Sequence, residues 1–192
     1  MGFTREQLLA FADTEVPDLI GPDCRLLFAG INPGLWTAAT GAHFARPGNR
    51  FYPALYAAGI TDHVIDAAEG MRAEDREALI AAGVGITNVA PRATAKASEL
   101  TTTELREGGE ALLARVDRVA PRVLAVLGVT AFRTAFGQPK ATVGRQARGL
   151  GETAVWVLPN PSGLNAHETV SSLAAAYREA AEAAGVPLLS PP

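Results

Sequence analysis

A single cysteine, Cys24, and only three histidines and two methionines occur among 192 residues. One thiol excludes an intrachain disulfide and any cysteine-rich zinc site, and His43, His63 and His167 show no ligand spacing, so no metal is expected. No stretch reaches the roughly 18 uncharged apolar residues of a spanning helix, and no basic segment followed by an apolar block opens the chain. Neither a membrane partner nor a secretory leader is expected, and a reducing, cytoplasmic setting is the simplest one. An excess of positive charge is also missing: the net charge is −3 and the pI about 5.6. That argues against a strong non-specific nucleic-acid binder, though not against a local basic rim. Arg46 with Arg50, Arg92 with Lys96, and Lys140, Arg145 and Arg148 are the candidates for such a rim. The chain has no Gly-x-x-x-x-Gly-Lys phosphate loop, no Gly-x-Ser-x-Gly elbow and no zinc-deaminase signature. Gly83-Val84-Gly85 precedes a strand and so is no dinucleotide fingerprint.

What is present is an ordinary globular composition, 48% hydrophobic with mean hydropathy +0.12. The length predicts one domain over 1–192, with a lead-in helix within 1–22 and a frayed tail at 187–192. Apolar runs without alternation at 25–30, 123–127 and 153–158, with a shorter one at 85–89, read as strands buried on both faces. Helical patterns fall at 4–12, 49–58, 72–82, 130–136 and 166–184, and a capping box of Thr101 with Glu104 opens another that runs to about Val119. Residues 31–48 read as a long loop. Asn165 with Glu168 reads as the capping box of the last helix. Strands alternating with helices predict an α/β fold, a mostly parallel four-stranded sheet flanked by helices on both faces.

Three strands run out into asparagine: Asn32, Asn88 and Asn160. Two of these open rigid turns, Asn32-Pro33-Gly34 and Asn160-Pro161-Ser162-Gly163. In a parallel sheet the strand ends share one edge, where ligands bind. Asparagine carries a donor and an acceptor and stays neutral, so it can hold a water or a substrate amide but is no general base. Such a site suits a positioned water and a leaving group that departs readily.

At these residues the chain resembles the mismatch-specific uracil-DNA glycosylases and their thymine-DNA glycosylase relatives. Gly30-Ile31-Asn32-Pro33-Gly34 is similar to that family's first motif and Asn160-Pro161-Ser162-Gly163-Leu164 to its second. Thr40-Gly41, the run from Phe44 to Phe51, Gly85-Ile86-Thr87-Asn88 and Arg106-Glu107-Gly108-Gly109 match in order between them, so the likeness spans about Leu26 to Tyr177. It implies excision of uracil, with thymine or ethenocytosine as further candidates, opposite guanine in double-stranded DNA, by a monomer without cofactor. By the same resemblance, Asn32 positions the attacking water. Ile31, Thr37, Phe44, Asn88 and Asn160 form the base pocket, with Phe44 as the stacking ring. Leu164 is the wedge, Gly163 and Asn165 contact the opposite guanine through their backbones, and Gly34, Ser162 and Arg46 meet phosphate. His43 and His167, beside the two motifs, are further phosphate candidates. The chain departs from some relatives in having Ala166 where they carry an arginine and Asn88 where one branch has lysine. Read from the residues alone, a hydrolase of free nucleosides and a non-catalytic mismatch-binding module stay open beside the glycosylase.

Overall fold

Uninterrupted apolar runs supply the inner strands because both faces of the sheet are covered. The computed structural model of the chain, which describes residues 2–190, pairs β1 (Leu26–Gly30), β2 (Val84–Asn88), β3 (Val123–Leu127) and β5 (Ala154–Leu158) in parallel in the order β2-β1-β3-β5. A fifth strand, β4 (Gly144–Arg145), adds antiparallel to the β5 edge and makes the sheet five-stranded where four strands were expected. Two residues starting with a glycine carry no strand pattern, and backbone pairing with Trp156 and Val157 alone creates the element.

Alternate residues of β1 show the layering. Leu26 and Phe28 enter a core closed by α3 (Phe51–Ala57), α4 (Ala73–Ala81) and α7 (Val170–Ala184), whereas Leu27 and Ala29 enter a second core under α5 (Thr102–Val119) and α6 (Val129–Ala135). Phe28, Phe51 and Tyr177 meet at the centre of the first core, and burying one such ring contributes about 1.5–3 kcal/mol. The Thr101–Glu104 box caps α5 as expected. Two shorter helices, α1 (Arg5–Leu9) and α2 (Leu35–Thr40), pack on each other.

The structure corrects three local expectations. The segment 31–48 is not all loop: α2 lies within it, started by extended Gly34 and stopped by left-handed Gly41. The last helix begins later, and its capping box is Thr169 with Ser172, while Glu168 takes a bond from the Ser172 hydroxyl at 2.7 Å. The tail is tied down as far as Leu189, whose N–H donates to the Gly59 carbonyl at 2.8 Å, while 191 and 192 lie outside the described residues. No helix among the described residues is long and apolar enough to cross a membrane.

Candidate active site

The turns after β1 and β2 continue the sheet's pairing beyond the strands. Val89 N–H donates to Gly30 O at 2.8 Å, Ala90 N–H to Ile31 O at 2.9 Å and Thr94 N–H to Pro33 O at 3.1 Å. This backbone zipper holds Asn32 in one place and also fixes which way its amide points. Asn32 Nδ2 lies 2.8 Å from the Arg92 carbonyl and 2.8 Å from Thr94 Oγ1. The carbonyl can only accept, and the Thr94 hydroxyl already donates to the Lys96 carbonyl at 2.9 Å. Both partners demand the NH2 end. Asn32 Oδ1 therefore faces away from them, has no partner among the described residues, and opens onto a cleft.

That cleft measures about 170 Å³, small beside the roughly 300–1,000 Å³ of drug-sized sites, so it suits a single heterocycle. Ile31, Asn32, Gly34, Thr37, Phe44 and Arg46 line it from the first loop, and Asn88, Asn160 and Ser162 line it from the other strand ends. No Asp or Glu lines it. Among the described residues no group of His, Cys, Asp and Glu could hold a metal ion.

Phe44 has φ +56°, a left-handed conformation that costs a bulky residue energy and is held by its surroundings. One face of its ring stacks on Phe51, with centroids 4.0 Å apart and planes 26° from parallel. Its edge closes over Gly30: a Cβ there would sit 3.2 Å from Phe44 Cζ and 2.6 Å from Asn88 Oδ1. Glycine at the strand end thus allows the ring and the amide to converge. His43, expected as a phosphate contact, is instead buried beneath them. Its Nε2 faces the Pro17 carbonyl at 3.0 Å and must carry the proton, so Nδ1 accepts from Asn88 Nδ2 at 3.3 Å. Burial lowers the His43 pKa, which keeps the ring neutral. With Asn88 Nδ2 so engaged, Asn88 Oδ1 is the end left for a ligand.

The second turn closes on itself through its own asparagines. Asn160 Oδ1 accepts from Ser162 N–H at 2.9 Å, leaving Asn160 Nδ2 as a donor, and Asn165 Nδ2 closes back on the Asn160 carbonyl at 3.1 Å. Leu164 projects from this unit 80% exposed, the most exposed large apolar side chain among the described residues. Gly163 and Leu164 border a second hollow that shares Arg46, Asn49 and Ser162 with the first. Asn165 lines neither. Its N–H is bonded to Ser162 O at 2.9 Å and its carbonyl to Arg50 at 2.9 Å, so both of its backbone groups are engaged within the protein, while Gly163 N–H is the donor without a partner there.

The basic rim resolves unevenly. Arg46 is exposed at the mouth with no ion pair among the described residues. Arg92 is held by Glu104 at 2.6 Å and Asp13 at 2.8 Å, and its role is structural. Lys140, Arg145 and Arg148 lie on and around the β4 edge, outside the cleft. His167 is also absent from the cleft lining, and its N–H bonds to Asn165 Oδ1 at 3.3 Å. Sequence reading missed Thr94, the packing role of Gly30 and the loop-to-loop use of Arg50. Only the short spacing of Arg50 from Phe44 hinted at any of them.

A family model of the uracil DNA glycosylase superfamily matches residues 17–183. The fold is similar to the solution NMR structure of a candidate uracil DNA glycosylase from Methanosarcina acetivorans, with a TM-score of 0.58, 18% identity, and coverage of 87% of this chain and 97% of that one. At that identity the likeness is one of fold.

Proposed function

The chain belongs to the uracil DNA glycosylase superfamily, and on that premise we propose that it hydrolyses the N-glycosidic bond of uracil opposite guanine in double-stranded DNA. The observation that carries the proposal is the locked Asn32 amide, whose free Oδ1 faces a cleft of single-ring size that no Asp or Glu lines.

A base stacked in a duplex cannot enter such a cleft, so the nucleotide swings out. The free face of Phe44 stacks on the pyrimidine, a contribution of about 1–3 kcal/mol. Asn88 Oδ1 accepts from the N3–H of the ring, and the N–H of Phe44, which has no partner among the described residues, donates to a ring carbonyl. Asn32 Oδ1 accepts one hydrogen of a water and aims its lone pair at C1′. As the C1′–N1 bond breaks, its electron pair stays on the base, where fixed dipoles at the pocket stabilise the anion. The new C1′–O bond completes the abasic sugar, and the released proton passes to solvent, because Asn32 is no base and the one lone pair of His43, on Nδ1, is taken up by Asn88 Nδ2. Leu164 fills the vacated stack, and Gly163 N–H faces the widowed guanine. Arg46 and the Ser162 hydroxyl meet the flanking phosphates.

One excision panel tests this. G·U, A·U, G·T, single-stranded uracil and G·ethenocytosine substrates are incubated with enzyme, and alkaline strand cleavage is scored. The expected result is strongest cleavage at G·U. Release of uracil from deoxyuridine but not from DNA would instead favour a nucleoside hydrolase, and G·U binding without base release a recognition module.

A further inference from the structure

Arg50 makes no ion pair among the described residues, yet its guanidinium makes three hydrogen bonds, all to backbone carbonyls. Nη1 donates to the carbonyls of Asn165 at 2.9 Å and Glu168 at 2.6 Å, and Nη2 donates to the Gly163 carbonyl at 3.2 Å. Its backbone N–H donates to Pro161 O at 2.9 Å. No other residue outside 160–173 hydrogen-bonds to residues 161–169 among those described. The contact is close-packed as well as polar: a Cβ on Gly163 would stand 2.5 Å from the Gly48 carbonyl. On its other side Arg50 adjoins Phe51, the ring on which Phe44 stacks, and Asn49 Oδ1 fixes the Phe51 N–H at 2.9 Å.

We propose that Arg50 is the positioning residue of the Leu164 wedge, joining the loop that carries the wedge to the loop that carries the base-stacking ring. The inference rests on the reading of Leu164 as a wedge. Carbonyl oxygens suit this role better than a carboxylate would. They hold a planar, forked cation in a fixed direction without neutralising it, so its charge stays available beneath the loop that meets DNA. The segment that precedes α7 has no regular hydrogen bonds of its own over Gly163–Glu168 beyond the Ser162–Asn165 turn. Arg50 therefore supplies the hydrogen bonds that fix this segment against the stacking loop, and with them the reach of Leu164. Lysine could not span the same three acceptors in one plane.

The test is single-turnover excision by the parent, Arg50→Met, Arg50→Lys, Leu164→Ala and the Arg50→Met/Leu164→Ala double variant. Two duplexes are compared, one with uracil opposite guanine and one with uracil opposite an abasic site, where no pair must be broken. Misplacing a wedge by about 1 Å is expected to slow G·U excision about 10–100-fold in Arg50→Met, with a smaller loss in Arg50→Lys. The ratio of G·U to abasic-opposite rates should fall with it, and the double variant should be no slower than Leu164→Ala alone. Equal losses on both duplexes, or losses that multiply in the double variant, would overturn the inference by marking a pocket or folding defect. If Leu164→Ala is impaired and both Arg50 variants are not, the Arg50 inference alone fails. If Leu164→Ala excises G·U at the parent rate, the wedge reading fails first.

Discussion

Replacing Gly30 by alanine adds one methyl group where the base site has least room. The new Cβ would lie 2.6 Å from Asn88 Oδ1 and 3.2 and 3.4 Å from two Phe44 ring carbons. A relaxed carbon–oxygen contact is roughly 3.3 Å or longer, so the amide must retreat by about 0.7 Å. It cannot do so freely. Asn88 is paired with Gly30 across the β1–β2 ladder, and its Nδ2 rests on His43, which is 4% exposed and fixed to the Pro17 carbonyl. Phe44 cannot slide away either, because its ring lies 4.0 Å from that of Phe51. Overpacking of this kind costs about 1–3 kcal/mol, which in a chain of this size lowers Tm by roughly 2–12 °C. The kinetic effect is larger, because both displaced groups would touch the base, and an error near 1 Å costs about 100-fold in rate. Single-turnover excision on a G·U duplex, with a thermal melt of the same sample, measures both. A folded Gly30→Ala enzyme that excises at the parent rate would refute the assignment of this cleft to the base.

Gly34 is the contrasting case: nothing lies within 4 Å of a Cβ built there, so Gly34→Ala should leave Tm nearly unchanged. Any loss should then fall on KM for the duplex, and a drop in kcat alone would contradict a phosphate contact. Cys24 is buried and its thiol is pushed up to about 11, so its reaction with a disulfide reagent at neutral pH should be limited by unfolding. Rapid labelling of the native protein would contradict this. His63 is held by Asp62 and Asp75, which raise its pKa above the unfolded value of about 6.5. Its stabilising contribution is therefore full below that value and lost as pH rises through the folded pKa. The urea-midpoint gap between the parent and His63→Gln should shrink on going from acidic to alkaline buffer, and a constant or widening gap would sink the argument. Thr101→Ala removes the cap of α5 and should cost about 0.5–2 kcal/mol in a denaturant titration without changing excision.

The strands and the long helices were legible because hydrophobic period and caps are local signals. β3 matches its apolar run residue for residue, and α5 begins at its Thr101 box. The start of α7 was misplaced for a reason outside the sequence window. Asn165 and Glu168 have capping-box spacing, but Arg50, more than a hundred residues upstream, takes both of their carbonyls and holds the segment as a turn. The true cap has serine where the pattern calls for Glu or Gln. α2 was missed because six residues rich in threonine and alanine between two glycines look like loop. In the site, the asparagines that leave the strands were readable, since parallel strands bring their ends together. The direction of the Asn32 amide was not, because Arg92 and Thr94 set it through contacts of about sixty residues' separation. The orientation of the buried His43 ring likewise depends on Pro17 and Asn88, which nothing near His43 in the chain announces.

The most direct measurement compares the parent with Asn32→Ala on one G·U duplex, with single-turnover excision and equilibrium binding recorded side by side. If a water held by Oδ1 is the nucleophile, uracil release falls by about 100–1,000-fold while duplex affinity stays within about threefold. Release of uracil by Asn32→Ala at the parent rate would contradict the mechanism at its root.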